Sequence, residues 1–437
     1  MKDGAWTPEQ AERYLLSLEL FGMRFGLERM RRLITALGSP LEQLASVQVV
    51  GTNGKSSTTR MIAAILERHG VRTGAYLSPH LGSFAERIQV RGRAIPPARF
   101  AAAVRRAAQA AELVERGLPA GEHVTQFEAL TAAAYSELGR SNLDAVVVEA
   151  GLGGRYDATS VIDPRVVALT NVALEHTRWL GPTERHVAEE KLAVVPHGAT
   201  LVAGPLGRQA LAVAERTVRD RNASFLRIGR DFVLRDERRD GLGVRTPRRS
   251  YGGIRLRPLG RFQQVNFAVA LTASEVFLRR ELDPAAVREA AATVSLPGRL
   301  EPVGHDPLVL FDGAHNPAAA TALRESLEEL VAPQKLIAVI AVLDDKDAAG
   351  MLSILLPLCR RAVFTRSSHT RALPPAVLES LSRQLSGPPA EIVPDPEAAL
   401  ERARALASSK DAVLVTGSIY LLSDLVHSAA ERVSEAI

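Results

Sequence analysis

Val47-Gln48-Val49-Val50-Gly51-Thr52-Asn53-Gly54-Lys55-Ser56-Ser57-Thr58-Thr59-Arg60 is the stretch from which the fold of this 437-residue chain is read. A β-branched run feeds two glycines, a lysine and a cluster of hydroxyls, and an apolar-periodic segment from Met61 to His69 then ends at Gly70. That order predicts strand, loop and helix. Gly51 and Gly54 let the backbone turn so that several amide N–H groups converge on one anion, and the positive end of the helix points at the same place. Lys55 adds a mobile charge for a terminal phosphate, while the hydroxyls of Ser56 and Ser57 can reach phosphate oxygens or a magnesium ion. A plain glycine turn before a helix is the alternative. Position 49 is valine where the general nucleotide loop has a glycine, so this loop is a shortened variant.

A chain of this length suits two domains. Hydrophobic residues at 46% and charged residues at 24% describe a soluble globular enzyme. The single cysteine, Cys359, excludes an intrachain disulfide and reads as a small buried hydrophobe. The amino terminus, Met1 to Trp6, lacks the apolar core of a signal peptide, and runs such as Leu336 to Leu343 are too short to span a bilayer. A cytoplasmic location, with no membrane partner, is expected. A net charge of +5 fits either a nucleic-acid surface or a site that gathers several anions. The densest basic stretch, Arg235 to Arg257, interleaves Asp236, Glu237 and Asp240 with glycines and carries only Tyr251 as an aromatic. It reads as a solvated hairpin region, so no nucleic-acid partner is expected.

Ahead of the nucleotide loop, helical periodicity (Tyr14, Leu15, Leu18; Leu27, Met30, Leu33, Ile34, Leu37) closes at Gly38-Ser39-Pro40. After it, Gly74 to Gly92 reads as an excursion with turn chemistry at Ser78-Pro79-His80-Leu81-Gly82 and strand alternation from Glu86 to Val90. Helices are predicted over Arg99 to Arg116 and Phe127 to Leu138, and buried strands over Asp144 to Glu149 and Val166 to Thr170. Strands alternating with helices imply a parallel sheet whose ligands sit at the strand ends. Beyond Leu201 to Ala203 and a helix through Arg221, the pieces Phe225 to Ile228, Phe232 to Leu234 and Ile254 to Leu256 suggest a small antiparallel subdomain. Asn266 to Phe277 returns to helix. Leu296-Pro297-Gly298-Arg299 marks a boundary between domains 1–296 and 297–437. The second has strands at Leu308 to Phe311, Leu336 to Val342, Ala362 to Thr365 and Ala412 to Thr416.

Glu149 stands at the end of a buried strand, where a carboxylate is costly unless a cation meets it. Magnesium is one partner; capping the glycine-rich loop that follows is the other reading. His176 lies just past the next strand, although loop histidines are usually structural and magnesium prefers oxygen. Lys191, beside Glu189 and Glu190 in an apparent helix, reads locally as a solvated lysine. Asp312-Gly313-Ala314-His315-Asn316-Pro317 puts an acid and a histidine at a strand end before a helix, as a turn and cap or as ligand contacts.

Taken together and in order, these motifs resemble the folylpolyglutamate synthase/dihydrofolate synthase enzymes, a branch of the Mur ligase superfamily. The matching stretches are Gly51-Thr52-Asn53-Gly54-Lys55, Ser78-Pro79-His80-Leu81 with Glu86-Arg87-Ile88, Phe127-Glu128, Glu149 to Arg155 with Asp157-Ala158-Thr159, Thr170-Asn171 through His176, Glu190-Lys191, Gln263 with Asn266, Leu296 to Arg299, Asp312 to Pro317, Asp345-Lys346-Asp347, and Gly417-Ser418 with Tyr420. The resemblance implies an α/β architecture: an N-terminal ATPase-type parallel-sheet domain with a small antiparallel subdomain, and a C-terminal Rossmann-like domain. It implies that residues 51 to 57, with Lys55 central, and Asn266, Arg299 and Asp312 hold ATP, and that Ser78, Glu149 and His176 bind magnesium. Family members carry a carbamylated lysine at the position of Lys191, which would position a second magnesium ion. The pterin end of the substrate would meet Ser78, Pro79, His80, Arg87 and Phe127. His315, with a catalytic role, and Ser418 would serve glutamate on the face of the second domain that closes over the active site. A monomer is expected.

The implied reaction is ATP-dependent amide formation through an acyl phosphate. This sequence departs from the family's usual glycine at Ser56, aspartate at Glu175, histidine at Phe262 and asparagine at Arg91. The competing readings are a Mur-type ligase for another carboxylate acceptor and a nucleotide-switched binding protein. The Ser78 loop argues against the first, and the second leaves the Asp312 to Pro317 motif without a job.

Overall fold

β1 (Ala45–Val50) is buried along almost its whole length, as a β-branched run covered on both faces must be, and β5 (Ala145–Glu149) and β6 (Val166–Leu169) flank it in parallel. The structure is a computed structural model in which residues 4–18, 26–236, 241–331 and 335–435 are described; Glu237 and Asp240 of the basic stretch lie outside them. Two compact units emerge: Met1–Leu256 with Val265–Val294, and Arg257–Gln264 with Ser295–Ile437.

In the first unit, α1 (Pro8–Ser17) starts on a reciprocal cap in which Thr7 and Gln10 bond each other's backbone amides, and α2 (Glu28–Ala36) follows. After β1 come α3 (Lys55–Arg68), β2 (Thr73–Tyr76), β3 (Ile88–Val90), β4 (Arg93–Ala94), α4 (Pro97–Glu115) and α5 (Gln126–Gly139). Beyond β5 and β6 the chain forms α6 (Thr177–Leu180), α7 (Glu184–Leu192), β7 (Thr200–Ala203), α8 (Arg208–Asp220) and β8 (Ser224–Arg227). The eight-stranded sheet has the order β4-β3-β2-β5-β1-β6-β7-β8. β3 and β4 turn antiparallel at one edge. One face of the sheet, with Tyr76, Ile88, Val146 and Val148, packs on α1, α2 and the alanine-rich α4 and α5; Val50, Val167, Leu169 and Leu201 belong to a second core that includes α7 and α8. Each such side chain contributes roughly 1.5–3 kcal/mol on burial, whereas exposed ion pairs such as Arg72 with Asp144 are screened by solvent and add little. The two faces, not the surface charges, hold this unit together.

A small antiparallel sheet, β9 (Val233–Asp236), β10 (Leu242–Arg245) and β11 (Ser250–Ile254), follows, then α9 (Arg261–Leu278) and α10 (Pro284–Thr293). Phe225 to Ile228 does not join this sheet, contrary to the sequence reading. Residues 224–227 pair in parallel with β7 as the far edge of the main sheet, because α8 supplies the crossover a parallel neighbour needs. β10 escapes a periodicity reading since Gly241 and Gly243 dilute its pattern.

The second unit runs β12 (Glu301–His305), β13 (Leu308–Phe311), α11 (Pro317–Leu330), β14 (Leu336–Ile340), α12 (Ala348–Leu355), β15 (Cys359–Phe364), α13 (Pro375–Gln384), β16 (Ala390–Ile392), α14 (Pro396–Leu406), β17 (Ala412–Thr416) and α15 (Ile419–Glu435). Its sheet order is β12-β13-β17-β14-β15-β16, parallel throughout except for β12 against β13. Cys359 is buried and its thiol, pushed up to about 12 by burial, bonds the Leu355 carbonyl, which fits a packing role. Among the described residues no helix is long and apolar enough to cross a membrane.

Candidate active site

The loop after β1 is laced to the end of β6. The Thr52 amide donates to the Asn171 carbonyl, the Asn53 amide to Asn171 Oδ1, and Thr170 Oγ1 and Asn171 Nδ2 both donate to the Asn53 carbonyl. Gly51, at φ +146°, has no room for a Cβ, which would collide with the Thr170 hydroxyl; Gly54, at φ +80°, would meet Asn266 Oδ1 at 2.5 Å. Both glycines are therefore required by close approach as well as by backbone conformation. Asn266 thus lies against the loop at Gly54. Thr170 and Asn171, absent from the candidate site residues, brace the loop; their position at a strand end was the available signal.

Two lysines converge here. Lys55 Nζ donates to the Gly51 and Thr52 carbonyls at 3.1 Å, and Lys191 Nζ donates to the same Gly51 carbonyl at 2.8 Å. Lys191 is 1% exposed, so the solvated-lysine reading is wrong. α7 carries it inward because the 151–155 loop docks on that helix: Gly154 lies so close to the Glu190 and Lys191 carbonyls that a Cβ would fall 2.6 Å from the first, and the Arg155 amide donates to the Glu190 carbonyl. Desolvation, then the charge of Lys55, lowers the Lys191 ammonium to about 7, against smaller opposing effects of Glu175 and Asp157. Asp157 organises the loop, accepting from the Leu152 and Thr159 amides and the Thr159 hydroxyl.

Glu149 is buried at the end of β5. Ser56 Oγ lies 2.8 Å from Glu149 Oε1 and 3.1 Å from the Ser78 carbonyl, and the Ser78 amide donates to Glu149 Oε2 at 2.9 Å. Ser56 sits in the first turn of α3 and outside the positive-φ residues, so the glycine usual in the family is not needed for backbone freedom. Ser57 Oγ is buried with no hydrogen-bond partner among the described residues, a hydroxyl left over at a helix N-terminus. Ser78 and Glu149, bridged by Ser56 Oγ, present oxygens of the hard kind that could hold magnesium. Among the described residues no group of three His, Cys, Asp or Glu side chains is arranged as a metal site. His176, at φ +47°, pairs with Glu175 at 3.2 Å.

His80 accepts from Arg87 Nε at its Nδ1, 2.9 Å away, and both pack against Phe84. Phe127 stacks on Tyr76 and approaches Gly151 so closely that a Cβ there would strike its ring. Pro79 lies between these residues and Ser78 in the chain.

In the second unit, buried Asp312 accepts from the Leu300 and Ala314 amides, both at 2.8 Å, while Arg299 Nη1 donates to the Gly298 carbonyl. Burial raises the Asp312 carboxyl, with Arg299 opposing. His315 Nδ1 is 2.9 Å from the Gly313 carbonyl, and the Gly417 amide donates to the Ala314 carbonyl, which sets Ser418 beside this turn.

Residues 49–274 match the Mur ligase middle domain and residues 298–419 the Mur ligase glutamate ligase domain. The dihydrofolate synthase/folylpolyglutamate synthase of Mycobacterium tuberculosis is 34% identical over 417 residues, 90% of this chain and 82% of that protein. The chain belongs to this branch of the Mur ligase superfamily. A probable bifunctional folylpolyglutamate synthase/dihydropteroate synthase of Haloferax volcanii is 36% identical over 434 residues; the match covers 95% of this chain but only 50% of that protein. Among solved structures, M. tuberculosis folylpolyglutamate synthase complexed with ADP superposes with a TM-score of 0.91 at 31% identity, covering 97% of this chain and 98% of that one. E. coli FolC in complex with DHPP and ADP superposes with a TM-score of 0.88 at 29% identity, covering 99% and 100%. Membership makes the chain an ATP-dependent ligase that adds glutamate to folates, and the two-part α/β fold is that of its structural neighbours.

Proposed function

We propose that the enzyme joins L-glutamate both to dihydropteroate and to folates, through an acyl phosphate, with magnesium held by Ser78, Glu149 and His176. The bifunctional names carried by relatives from M. tuberculosis, Bacillus subtilis and E. coli support two acceptors. The acceptor carboxylate attacks the γ-phosphorus, the bond to the β-phosphate oxygen breaks, and ADP leaves. The glutamate amine then attacks the acyl carbon, loses a proton, and phosphate departs. Both partners of the first step are anions, so catalysis is mostly positioning and charge compensation. Lys55, the loop amides of residues 51 to 57, Asn266, Arg299 and Asp312 meet the nucleotide in this reading. Magnesium, when bound, neutralises charge on the phosphates.

The observation that carries the reading is the pair of lysines on one carbonyl. A buried amine lowered to about 7 has a substantial neutral fraction at physiological pH, and a neutral amine is what carbon dioxide converts into a carbamate. That change turns an amine pressed against Lys55 into an anion that attracts it. His315 Nδ1 donates to the Gly313 carbonyl, which fixes the orientation of the ring that this reading gives a catalytic role. Ser78, Pro79, His80, Arg87 and Phe127 meet the pterin, and His315 and Ser418 the glutamate. A monomer working in the cytoplasm is the state expected.

The test is incubation with ATP, magnesium, glutamate and either dihydropteroate or a reduced folate, with product masses read out. Increments of one glutamate residue on both acceptors are expected. ATP hydrolysis indifferent to acceptor and glutamate would favour a nucleotide-switched module instead.

A further inference from the structure

β1 is an interior strand of its sheet, yet Ser46 and Gln48 break its apolar run at alternate positions, 3% and 1% exposed. A polar side chain buried in such a strand is costly unless it is bonded. The connection from β5 to β6 explains both residues. Those strands flank β1 on either side, so residues 150–165 have to cross it. A crossover between parallel strands usually lays a helix on the sheet, but this one holds only the 3₁₀ turn Ala158–Val161, which brings polar groups against β1.

β1 supplies their partners. Ser46 Oγ donates to the Asp163 carbonyl at 3.4 Å, and the Gln48 amide donates to Thr159 Oγ1 at 3.3 Å and to Ser160 Oγ at 3.1 Å. The Tyr135 hydroxyl donates to the Thr159 carbonyl at 2.7 Å. Because the Thr159 oxygen accepts from Gln48, its own proton is free to go to Asp157 Oδ1, 2.6 Å away, and Asp157 Oδ2 accepts from the Leu152 amide at 2.6 Å. A relay thus runs from Gln48 through Thr159 and Asp157 to Leu152. It joins the strand that ends in the nucleotide loop to the 151–155 loop, where Gly151 backs on the Phe127 ring and the Arg155 amide holds the Glu190 carbonyl. Buried as it is, Gln48 meets no substrate and acts only through that loop.

We infer that Gln48 is a positioning residue for the acceptor: through Thr159 and Asp157 it sets the 151–155 loop, and with it Phe127, in register with the nucleotide loop at the end of its own strand. This assignment rests on the reading of Phe127 as a contact of the pterin acceptor.

The test compares wild type with Gln48→Met, Thr159→Val, Thr159→Ser and Phe127→Ala by hydrogen exchange, by calorimetric titration of ADP and then of dihydropteroate in the presence of ADP, and by the glutamate KM. Gln48→Met keeps the length of the side chain and removes its donors. The Leu152 and Arg155 amides then exchange about tenfold faster, as loss of roughly one net hydrogen bond allows, while those of β1 and β6 keep their rates. Dihydropteroate affinity falls about tenfold, whereas ADP affinity and the glutamate KM stay within about twofold. Thr159→Val behaves alike, Thr159→Ser stays near wild type, and the double variant Gln48→Met with Thr159→Val is no worse than the larger single, since both cut one relay. ADP binding confirms folding; should Gln48→Met not fold, the two Thr159 variants are read by the same measurements. Unchanged exchange at Leu152 and Arg155 overturns the inference, as does a loss shared equally by acceptor, ADP and glutamate, which would make Gln48 a packing residue of β1. Where Phe127→Ala weakens dihydropteroate binding, an unchanged affinity in Gln48→Met overturns it too. Unchanged affinity in Phe127→Ala overturns the parent reading instead, and faster loop exchange in Gln48→Met then still supports its hold on the loop.

Discussion

In the proposed reading, Lys191 and Lys55 are the residues on which the chemistry turns. Lys55→Ala should lower ATP turnover at saturating acceptor and glutamate by about a thousandfold or more, since phosphoryl transfer depends on charge placed around the phosphates; near-normal ADP release would remove the phosphate role. For Lys191, the pKa of about 7 in the fold lies below the 10.5 of the unfolded chain. The unfolded chain therefore binds more protons between those values, and stability rises with pH across that window. In buffer free of carbon dioxide, Lys191→Met should be the more stable protein at pH 6, by an amount on the order of a few kcal/mol, with the gap closing towards pH 10. A urea midpoint that is lower for the variant at pH 6 would contradict the burial argument. With ¹³C-bicarbonate, a carbamate resonance should grow as pH passes 7 and be absent from Lys191→Ala, whose activity small carboxylates restore in part.

Among the elements, α5 matters because it presents Phe127 at its first turn. It is held to α2 by Arg29, whose Nε donates to both oxygens of Glu128 at 3.2 Å with both side chains largely buried. Glu128 is also the third residue of the α5 cap and accepts from the Thr125 amide. Arg29→Met should cost about 3–5 kcal/mol, because it strands a buried carboxylate, whereas Arg29→Met with Glu128→Leu should be milder. Urea titration gives the stabilities, and the KM for the pterin acceptor should rise in the single variant as α5 shifts. Equal loss in single and double variants would mean the pair is not the cause. At this scale most elements were legible, because a continuous apolar run such as Val146-Val147-Val148 marks a strand buried on both faces without any alternation. β8 was misassigned for the opposite reason: its identity as a sheet edge is decided by its partner strand, β7, not by its own residues.

For the molecule as a whole, each unit has its own core. Leu414, fully buried in β17, packs in the second unit with Leu310, Ala338 and Phe364. Leu414→Ala should cost about 2–5 kcal/mol. Hydrogen exchange should show lost protection in the 295–435 region while β1 and β5 keep theirs; uniform loss would mean that the units open as one.

The sequence by itself determined whatever is written within a few turns of chain: the strand, glycine loop and helix around Lys55, the parallel alternation of both units, the turn from Asp312 to Pro317, and the family. Such features depend on neighbours in the chain, so periodicity and turn chemistry disclose them. Only the tertiary structure decided that Lys191 crosses 140 positions to share the Gly51 carbonyl with Lys55, that Ser56 reaches Glu149 across 93, and that Arg371 meets Asp345. The protonation and reach of a charged side chain follow from the solvent it loses and the charges packed against it, and neither is encoded near it in the chain.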